Sequence, residues 1–278
     1  MLELLLPPLV ACLVIVSLHA YLGLHVIARE VIFVDLALAQ MAALGGTVAI
    51  LAGLEHESTA ALVYALAFTT VGAGIFSLTR TSREGRIPQE AIIGIVYVVA
   101  SAAAILVADR VPHGGEAIKE ILVGNLLWVT WPTIVRLAAI YAIIGVIQFL
   151  MRKRFLTISL QPKTALANGW SIKWWDFLFY LLFGVVITFS VPIAGVLLVF
   201  SFLVVPAVIA FLFTRDPTRL TLYAWLAGLI ASVAGLAVSF QFDLPTGPII
   251  VCAFGALLVV AWAAKKVVPG PRETAEST

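Results

Sequence analysis

Apolar runs long enough to cross a lipid bilayer follow one another along almost the whole sequence. A membrane-spanning α-helix needs about 20 consecutive apolar residues. Such runs lie at residues 4–28, 31–54, 59–79, 88–108, 131–150, 176–190, 193–213, 219–240 and 247–264. Only 12% of the residues are charged, whereas soluble domains contain about 25%. The sequence therefore predicts an all-α, polytopic transmembrane helical bundle and excludes a water-soluble globule.

The number of spans depends on one region. Residues 176–213 are too many for one membrane helix and few for two. We expect the chain to turn at Ser190-Val191-Pro192, because proline ends or kinks helices. This turn gives nine spans, and its absence would give eight.

Basic residues predict the orientation of these spans. They follow the third, fifth, seventh and ninth runs, and by the positive-inside rule that side is cytoplasmic. The N-terminus is then outside and the C-terminus inside, which requires an odd number of spans. Residues 1–268 form one transmembrane domain, and we expect residues 269–278 to be a short, disordered cytoplasmic tail. The basic residues are Arg80, Arg83, Arg86, Arg152, Lys153, Arg154, Lys163, Lys173, Arg215, Arg219, Lys265, Lys266 and Arg272.

Two polar side chains, Asp35 and Gln40, interrupt the apolar second span. A charge in the hydrocarbon costs a few kcal/mol, so such a residue usually faces the bundle interior or a water-filled path. Both residues are therefore candidates for an ion pathway. The alternative is an interfacial Asp35 and a Gln40 that hydrogen-bonds a neighbouring helix.

A second group of candidate ligands lies in a predicted outer loop. His113, Glu116 and Glu120 have the spacing i, i+3, i+7, which places them on one face if the segment is helical. Imidazole and carboxylates together suit zinc or manganese, and the three could contact a metal at the outer mouth. A solvated polar helix would have the same pattern.

Two histidines lie in the first span. His19 and His25 are six residues apart and do not share a helix face. We expect His19 to be buried and hydrogen-bonded to a neighbouring helix, and His25 to lie at the cytoplasmic interface.

The longest predicted cytoplasmic connection contains a short helix. Pro162 after Gln161 opens it and Gly169 closes it, with Ala165 between them, which is the usual placement of proline and glycine. Such a helix could dock a soluble partner, or it could lie on anionic lipid.

Enzyme signatures are absent from the sequence. It contains no HExxH, no GxSxG and no phosphate-binding GxxxxGK[ST] motif. We therefore expect no enzymatic activity from this chain. If transport uses ATP, the hydrolysis takes place on another subunit.

Four segments together resemble one family, the integral-membrane permeases of zinc, manganese and iron ABC importers. They are GVLLVFSFLVVPAVIAFL (195–212, with Pro206), DLPTGP (243–248, with Asp243, Pro245 and Gly247), PQEAIIGIVYVVASAAAILV (88–107) and AREVIFVDLALAQMAALGG (28–46). They occur in the order along the chain that the family has. The combination is specific, although each motif alone is weak.

The resemblance implies a transport assembly in the inner (plasma) membrane. It implies a homodimer of permeases, a nucleotide-binding subunit docked beneath each, and an extracytoplasmic protein that delivers the metal. Residues 162–169 would be the helix that couples to the ATPase. No covalently bound cofactor is implied; the chain carries a divalent metal ion, contacts membrane lipid, and uses ATP on the partner subunit. No nucleic acid is expected as a partner.

The second span departs from the family pattern. The family has an Asp and, four residues later, a His, and the two are thought to meet the metal. Here Gln40 stands at the His position and Asp35 lies one residue early. An amide oxygen is a harder ligand than imidazole and favours manganese or iron(II) over zinc. His19 could supply the missing imidazole.

Other functions stay open from the sequence alone. A proton-coupled secondary transporter would use Asp35 as a relay, an ABC permease could carry a metal chelate, and a membrane scaffold would transport nothing. The residues do not name the metal, and they do not distinguish import from export.

Overall fold

The computed structural model describes residues 2–55, 58–80, 87–110 and 123–267, and within these ranges the chain contains helices and no strands. Nine of the described helices are long and apolar enough to cross a membrane, namely α1–α5 and α8–α11. The predicted all-α bundle is confirmed, and the described residues contain nine candidate spans rather than eight. The helices are α1 Leu2–Ala28, α2 Val34–Leu51, α3 Thr59–Leu78, α4 Gln89–Ala108, α5 Trp131–Leu150, α6 Arg152–Leu160, α7 Pro162–Ala167, α8 Ile172–Ala194, α9 Val196–Phe213, α10 Pro217–Phe242 and α11 Thr246–Val267, with a 3₁₀ turn at Leu126–Trp128. The predicted tail at 269–278 lies outside the described residues.

The turn between the sixth and seventh spans is not where the sequence predicted it. Helix α8 continues through Ser190-Val191-Pro192 to Ala194, and the chain turns at Gly195. Gly195 has φ +78°, a left-handed conformation that glycine adopts readily. A Cβ there would lie 2.4 Å from the carbonyl carbon of Val123. Pro192 lies near the C-terminal end of α8, where one missing backbone donor leaves most of the helix intact.

The spans pack as two groups. Helix α2 packs against α3 and α4, and α3 packs against α8. In the other group α1 packs against α9 and α10, and α9, α10 and α11 pack against one another. Contacts of α9 with α8 and with α2 join the groups, and α5 contacts both α1 and α8. The short connection between α1 and α2, residues 29–33, therefore passes from one group to the other.

The predicted short helix in the fifth connection is confirmed. Helix α7 begins at Pro162 directly after Gln161, and Gly169 follows its end with φ +71°. Ala165 is fully buried. The helix is thus anchored against the bundle by one small residue, while its other side chains remain exposed or half-buried.

The motif residues of the last three spans have structural positions. Pro206 lies inside α9, which is continuous through it. Asp243 ends α10 in a left-handed conformation with φ 51°, and Pro245 precedes α11. A Cβ on Gly247 would lie 3.0 Å from the carbonyl oxygen of Val123, so this position favours glycine.

Candidate functional site

Asp35 lies in the first turn of α2, at the end of the span. Its side chain is buried, with 2% of its surface exposed. One carboxylate oxygen, Oδ1, accepts a hydrogen bond of 2.8 Å from the backbone N–H of Leu36. The other oxygen, Oδ2, is buried and has no hydrogen-bond partner among the residues that the structure describes. Asp35 therefore has one oxygen held by the backbone and one available to a ligand.

A second carboxylate, Glu90, approaches the same helix end from α4. Its Oε1 accepts a hydrogen bond of 2.9 Å from the backbone N–H of Phe33, the residue that precedes α2. Its Oε2 is buried without a partner, like Oδ2 of Asp35. The first backbone N–H groups of a helix lack partners within the helix, and its positive end attracts anions. Both carboxylates are thus positioned at the N-terminus of α2.

Gln40 lies farther along α2 than Asp35. It is half-buried and lies about 9 Å along the helix axis from Val34. Five residues correspond to a rotation of about 140° between Asp35 and Gln40. No hydrogen bond joins their side chains. If both residues contact a passing ion, they therefore do so at two separate points along α2 and do not chelate it together.

His19 is buried and hydrogen-bonded, as the sequence predicted. Its Nδ1 lies 3.0 Å from the carbonyl oxygen of Ile15 and 3.2 Å from the hydroxyl of Tyr141 on α5. Nine residues separate His19 from Ala28 at the end of α1, which is about 14 Å along the helix axis. His19 therefore lies away from the helix end that carries Asp35, and it does not supply an imidazole beside that carboxylate.

A buried ionic cluster, Arg29–Asp176–Arg80, lies at the same end of the bundle. Arg29 Nη1 donates to Asp176 Oδ1 at 2.8 Å, and Arg80 Nη1 donates to Asp176 Oδ2. The side chains of Arg29 and Asp176 are 2% and 0% exposed, and that of Arg80 is 18% exposed. Burial lowers the pKa of the Arg29 guanidinium, and the negative charge of Asp176 opposes that shift.

Ser159 ties this cluster to α6. Its hydroxyl accepts a hydrogen bond of 2.8 Å from Arg29 Nε and lies 2.9 Å from His25 Nδ1. His25, expected at the interface, is therefore buried, with 2% exposure. The Arg29 guanidinium also lies 3.9 Å from the centre of the Phe179 ring on α8. The ends of α1, α3 and α6 are thus held to the start of α8.

Helices α6 and α7 present basic and apolar side chains outward. Arg152, Lys153, Arg154 and Lys163 are exposed, as are Leu160 and Leu166. On the inner side, Phe155 is fully buried and packs edge-on against Trp175 and Phe179. The segment thus combines a firmly packed inner side with a surface that a partner could cover.

The predicted outer ligands His113, Glu116 and Glu120 lie outside the described residues. Within the ranges that the structure does describe, no group of three or more His, Cys, Asp or Glu residues could hold a metal ion. The pair of carboxylates at the start of α2 and α4 combines two buried oxygens that lack partners. Sequence reasoning selected Asp35 and missed Glu90, although a carboxylate in the first turn of an apolar span was a signal that could have identified it.

Comparisons with known proteins agree with this architecture. The family model described as the ABC 3 transport family matches residues 1–265. A chain of PsaBC from Streptococcus pneumoniae, solved in complex with Fab, has a TM-score of 0.76 and is covered over 92% of its length by 97% of this chain. The sequence identity is 20%, so this likeness concerns the fold.

Two relatives have names that mention metal transport. The chain is 27% identical over 178 residues to a Chlamydia pneumoniae protein named "Probable metal transport system membrane protein", which covers 64% of this chain and 61% of that protein. It is 28% identical over 192 residues to the Yersinia pestis "Chelated iron transport system membrane protein YfeD", which covers 68% and 64%. The matched regions therefore span less than two thirds of the length of these relatives.

Proposed function

Because the chain belongs to the ABC 3 transport family, we propose that it is the membrane permease subunit of an ABC transporter that imports a divalent transition-metal ion, manganese, zinc or iron. The observation that carries this proposal is the family match over residues 1–265, which extends from the first candidate span into the ninth. The names of the relatives support a metal as the cargo. ATP is hydrolysed on a separate subunit, and this chain does no covalent chemistry.

The permease changes between states that open to opposite sides of the membrane. A nucleotide-binding subunit docks on α6 and α7, where Gln161, Pro162, Ala165 and Gly169 shape the coupling loop. Support for this contact comes from the exposed basic and apolar residues of this segment. Binding of ATP to the partner then favours one state of the bundle over the other.

Ser159 connects α6 and α7 to the interior of the bundle, so motion of these helices can affect it. It lies on α6 and bonds both Arg29 and His25 at the end of α1. Arg29 leads directly into the connection that positions Asp35. A displacement of α6 and α7 by the ATPase therefore acts on the start of α2 through buried hydrogen bonds.

The metal passes α2, where Asp35 and Gln40 line the path. Asp35 supplies a carboxylate oxygen without a protein partner, and Gln40 lies half-buried farther along the same helix. A site must be favourable enough for the ion to enter and weak enough for it to leave. His113, Glu116 and Glu120 contact the ion at the outer mouth.

The assembly lies in the plasma membrane with the N-terminus outside and the C-terminus in the cytoplasm. The exposed Arg152, Lys153, Arg215, Lys265 and Lys266 lie in or after odd-numbered spans, which supports this orientation. A second copy of the chain completes the translocation pathway, and an extracytoplasmic binding protein delivers the metal from the other side.

The test is metal uptake in proteoliposomes that contain the permease and its nucleotide-binding subunit. We expect uptake of manganese, zinc or iron only when ATP is present on the side of the membrane where the nucleotide-binding subunit is bound. Gln40→His should shift uptake toward zinc, and Asp35→Asn should reduce uptake of every metal. Transport without any ATPase subunit would instead identify a proton-coupled secondary transporter and would overturn the proposal.

A metal chelate is the second candidate cargo, because the name of the Yersinia pestis relative includes chelated iron. The same proteoliposomes distinguish the two. Free-ion transport is expected to depend on the concentration of free metal, and chelate transport on that of the complex. Gln40→His should alter selectivity only in the first case.

A further inference from the structure

We infer that Asp35 and Glu90 together form a binding site for a hard divalent cation, of which Mn²⁺ is the example, at the bundle end where α2 and α4 begin. This inference rests on the proposed function, because it assigns Glu90 to the path of the transported ion. It also moves the site from the Asp35–Gln40 pair that the sequence indicated to a pair formed between two helices.

The first observation is a matched pair of carboxylate oxygens without partners. Asp35 and Glu90 each use one oxygen to accept a backbone N–H, from Leu36 and Phe33 respectively. The other oxygen of each, Oδ2 and Oε2, is buried and accepts no hydrogen bond. Leaving a buried polar atom unpaired costs about 1–3 kcal/mol, and more if it is charged. Two such atoms at one helix end indicate a ligand that both can bind.

The second observation is that, among the described residues, no salt bridge involves Asp35 or Glu90. Across the described residues, the two salt bridges both involve Asp176, with Arg29 and Arg80. Glu90 bonds the backbone N–H of Phe33, two residues before Asp35, so the two carboxylates approach the same turn. An external cation placed between them would relieve their mutual repulsion.

The backbone prepares the pair for a cation. The two hydrogen-bond donors belong to residues 33 and 36, so both carboxylates are anchored to one turn at the N-terminus of α2. Burial disfavours the ionised forms of both carboxyl groups, and the backbone N–H donors and the positive helix end oppose that effect. The two anchoring bonds also limit how far the free oxygens can rotate.

The donor atoms indicate the class of ion. Both are carboxylate oxygens, and neither imidazole nor thiolate is part of the pair. Carboxylate, carbonyl and water oxygens suit Mg²⁺, Ca²⁺ and Mn²⁺, whereas nitrogen and sulfur donors suit zinc. Asp35 is buried and Glu90 is half-buried, so we expect an ion and its remaining water ligands to enter or leave on the Glu90 side. In the proposed orientation, this is the cytoplasmic exit.

The experiment measures Mn²⁺ binding by the purified full-length chain in detergent, without the ATPase subunit. Equilibrium dialysis gives the affinity, and thermal unfolding with and without MnCl₂ gives the stabilisation. We expect Mn²⁺ to raise the unfolding temperature of the wild type. Glu90→Gln and Asp35→Asn should each weaken Mn²⁺ binding by about tenfold or more and abolish this rise. The matched control is Glu55→Gln, which removes one exposed carboxylate beyond the opposite end of α2 and should leave binding unchanged.

Two results would overturn the inference. The first is that Glu90→Gln binds Mn²⁺ with the affinity of the wild type, which would mean that Glu90 only caps α2. The second is the absence of Mn²⁺ binding by the wild type. Neither measurement uses ATP, so ATP-driven uptake with unaltered binding in Glu90→Gln would refute this site and leave the proposed function intact. Mn²⁺ binding that depends on both carboxylates, without ATP-driven uptake, would support this site and refute the proposed function.

Discussion

Two buried acidic sites lie at one end of the bundle and are neutralised in opposite ways. Asp176 receives one arginine on each of its oxygens, one from the residue after α1 and one from the residues after α3. Asp35 and Glu90 each receive a backbone N–H and keep one buried oxygen without a partner. Burying charge is costly unless it is paired. The first site therefore holds helices together, and the second is suited to bind something that the chain itself does not provide.

The largest expected effect is at the paired site. We expect Asp176→Asn to lower the free energy of unfolding by about 3–5 kcal/mol, because it leaves two arginines without their buried counter-ion. The measurement is denaturant or thermal unfolding of the protein in detergent. Asp216→Asn is the matched control: Asp216 is exposed and caps α10 through the N–H of Arg219. Asparagine caps as well as aspartate, so a comparable loss in the control would contradict the prediction.

The two arginines of the cluster should differ in importance. Arg29 is almost fully buried and also bonds Ser159, whereas Arg80 is 18% exposed. We expect Arg29→Gln to cost about 3 kcal/mol, near the lower limit for a broken buried pair, and Arg80→Gln to cost about 1.5–3 kcal/mol. The same unfolding measurement checks the order. A larger effect at Arg80 would mean that the partly exposed Arg80–Asp176 bond stabilises the protein more than the Arg29–Asp176 bond does.

Removal of the Ser159 hydroxyl should have an intermediate effect. Ser159→Ala takes the acceptor from Arg29 Nε and the partner from His25 Nδ1, so we expect a loss of about 1–3 kcal/mol. Thr157→Ala on the same helix is the control, because its hydroxyl bonds only the carbonyl of Lys153. In reconstituted transporters, Ser159→Ala should also reduce the stimulation of ATPase activity by metal. Normal stimulation would show that the route through α6 is not used.

The smallest effect on stability is expected at the unpaired site. In the presence of a metal chelator, Asp35→Asn and Glu90→Gln should change the free energy of unfolding by no more than about 1 kcal/mol. Each amide keeps an oxygen for its backbone donor and removes one of two like charges, which offsets the cost of its own unpaired N–H groups. A loss of about 3 kcal/mol in either variant would instead show that Asp35 and Glu90 stabilise the fold, as Asp176 does.

Much of the fold follows from local sequence. Nine apolar runs of sufficient length and the proline and glycine that bound α7 were readable from the order of residues. The family resemblance carried by four segments is confirmed by the match over residues 1–265. The turn at Gly195 was placed about four residues early, because proline near the end of a long apolar run does not stop a helix that is supported by its neighbours. Its actual position depends on the close approach of Val123.

The candidate site likewise follows partly from local sequence and partly from tertiary packing. The sequence by itself determined that the chain crosses the membrane and that Asp35 and Gln40 are polar exceptions within a span, because both properties depend on neighbouring residues in the chain. Tertiary structure decided that Glu90 accepts a hydrogen bond from the backbone of Phe33, 57 residues away and next to the start of α2. It also decided that Arg29 and Arg80 bond Asp176 across 147 and 96 residues. In lipid, any apolar residue can face outward, so hydropathy does not specify which helices meet. Only the packing of the helices determines which buried charges have partners within the described chain and which do not.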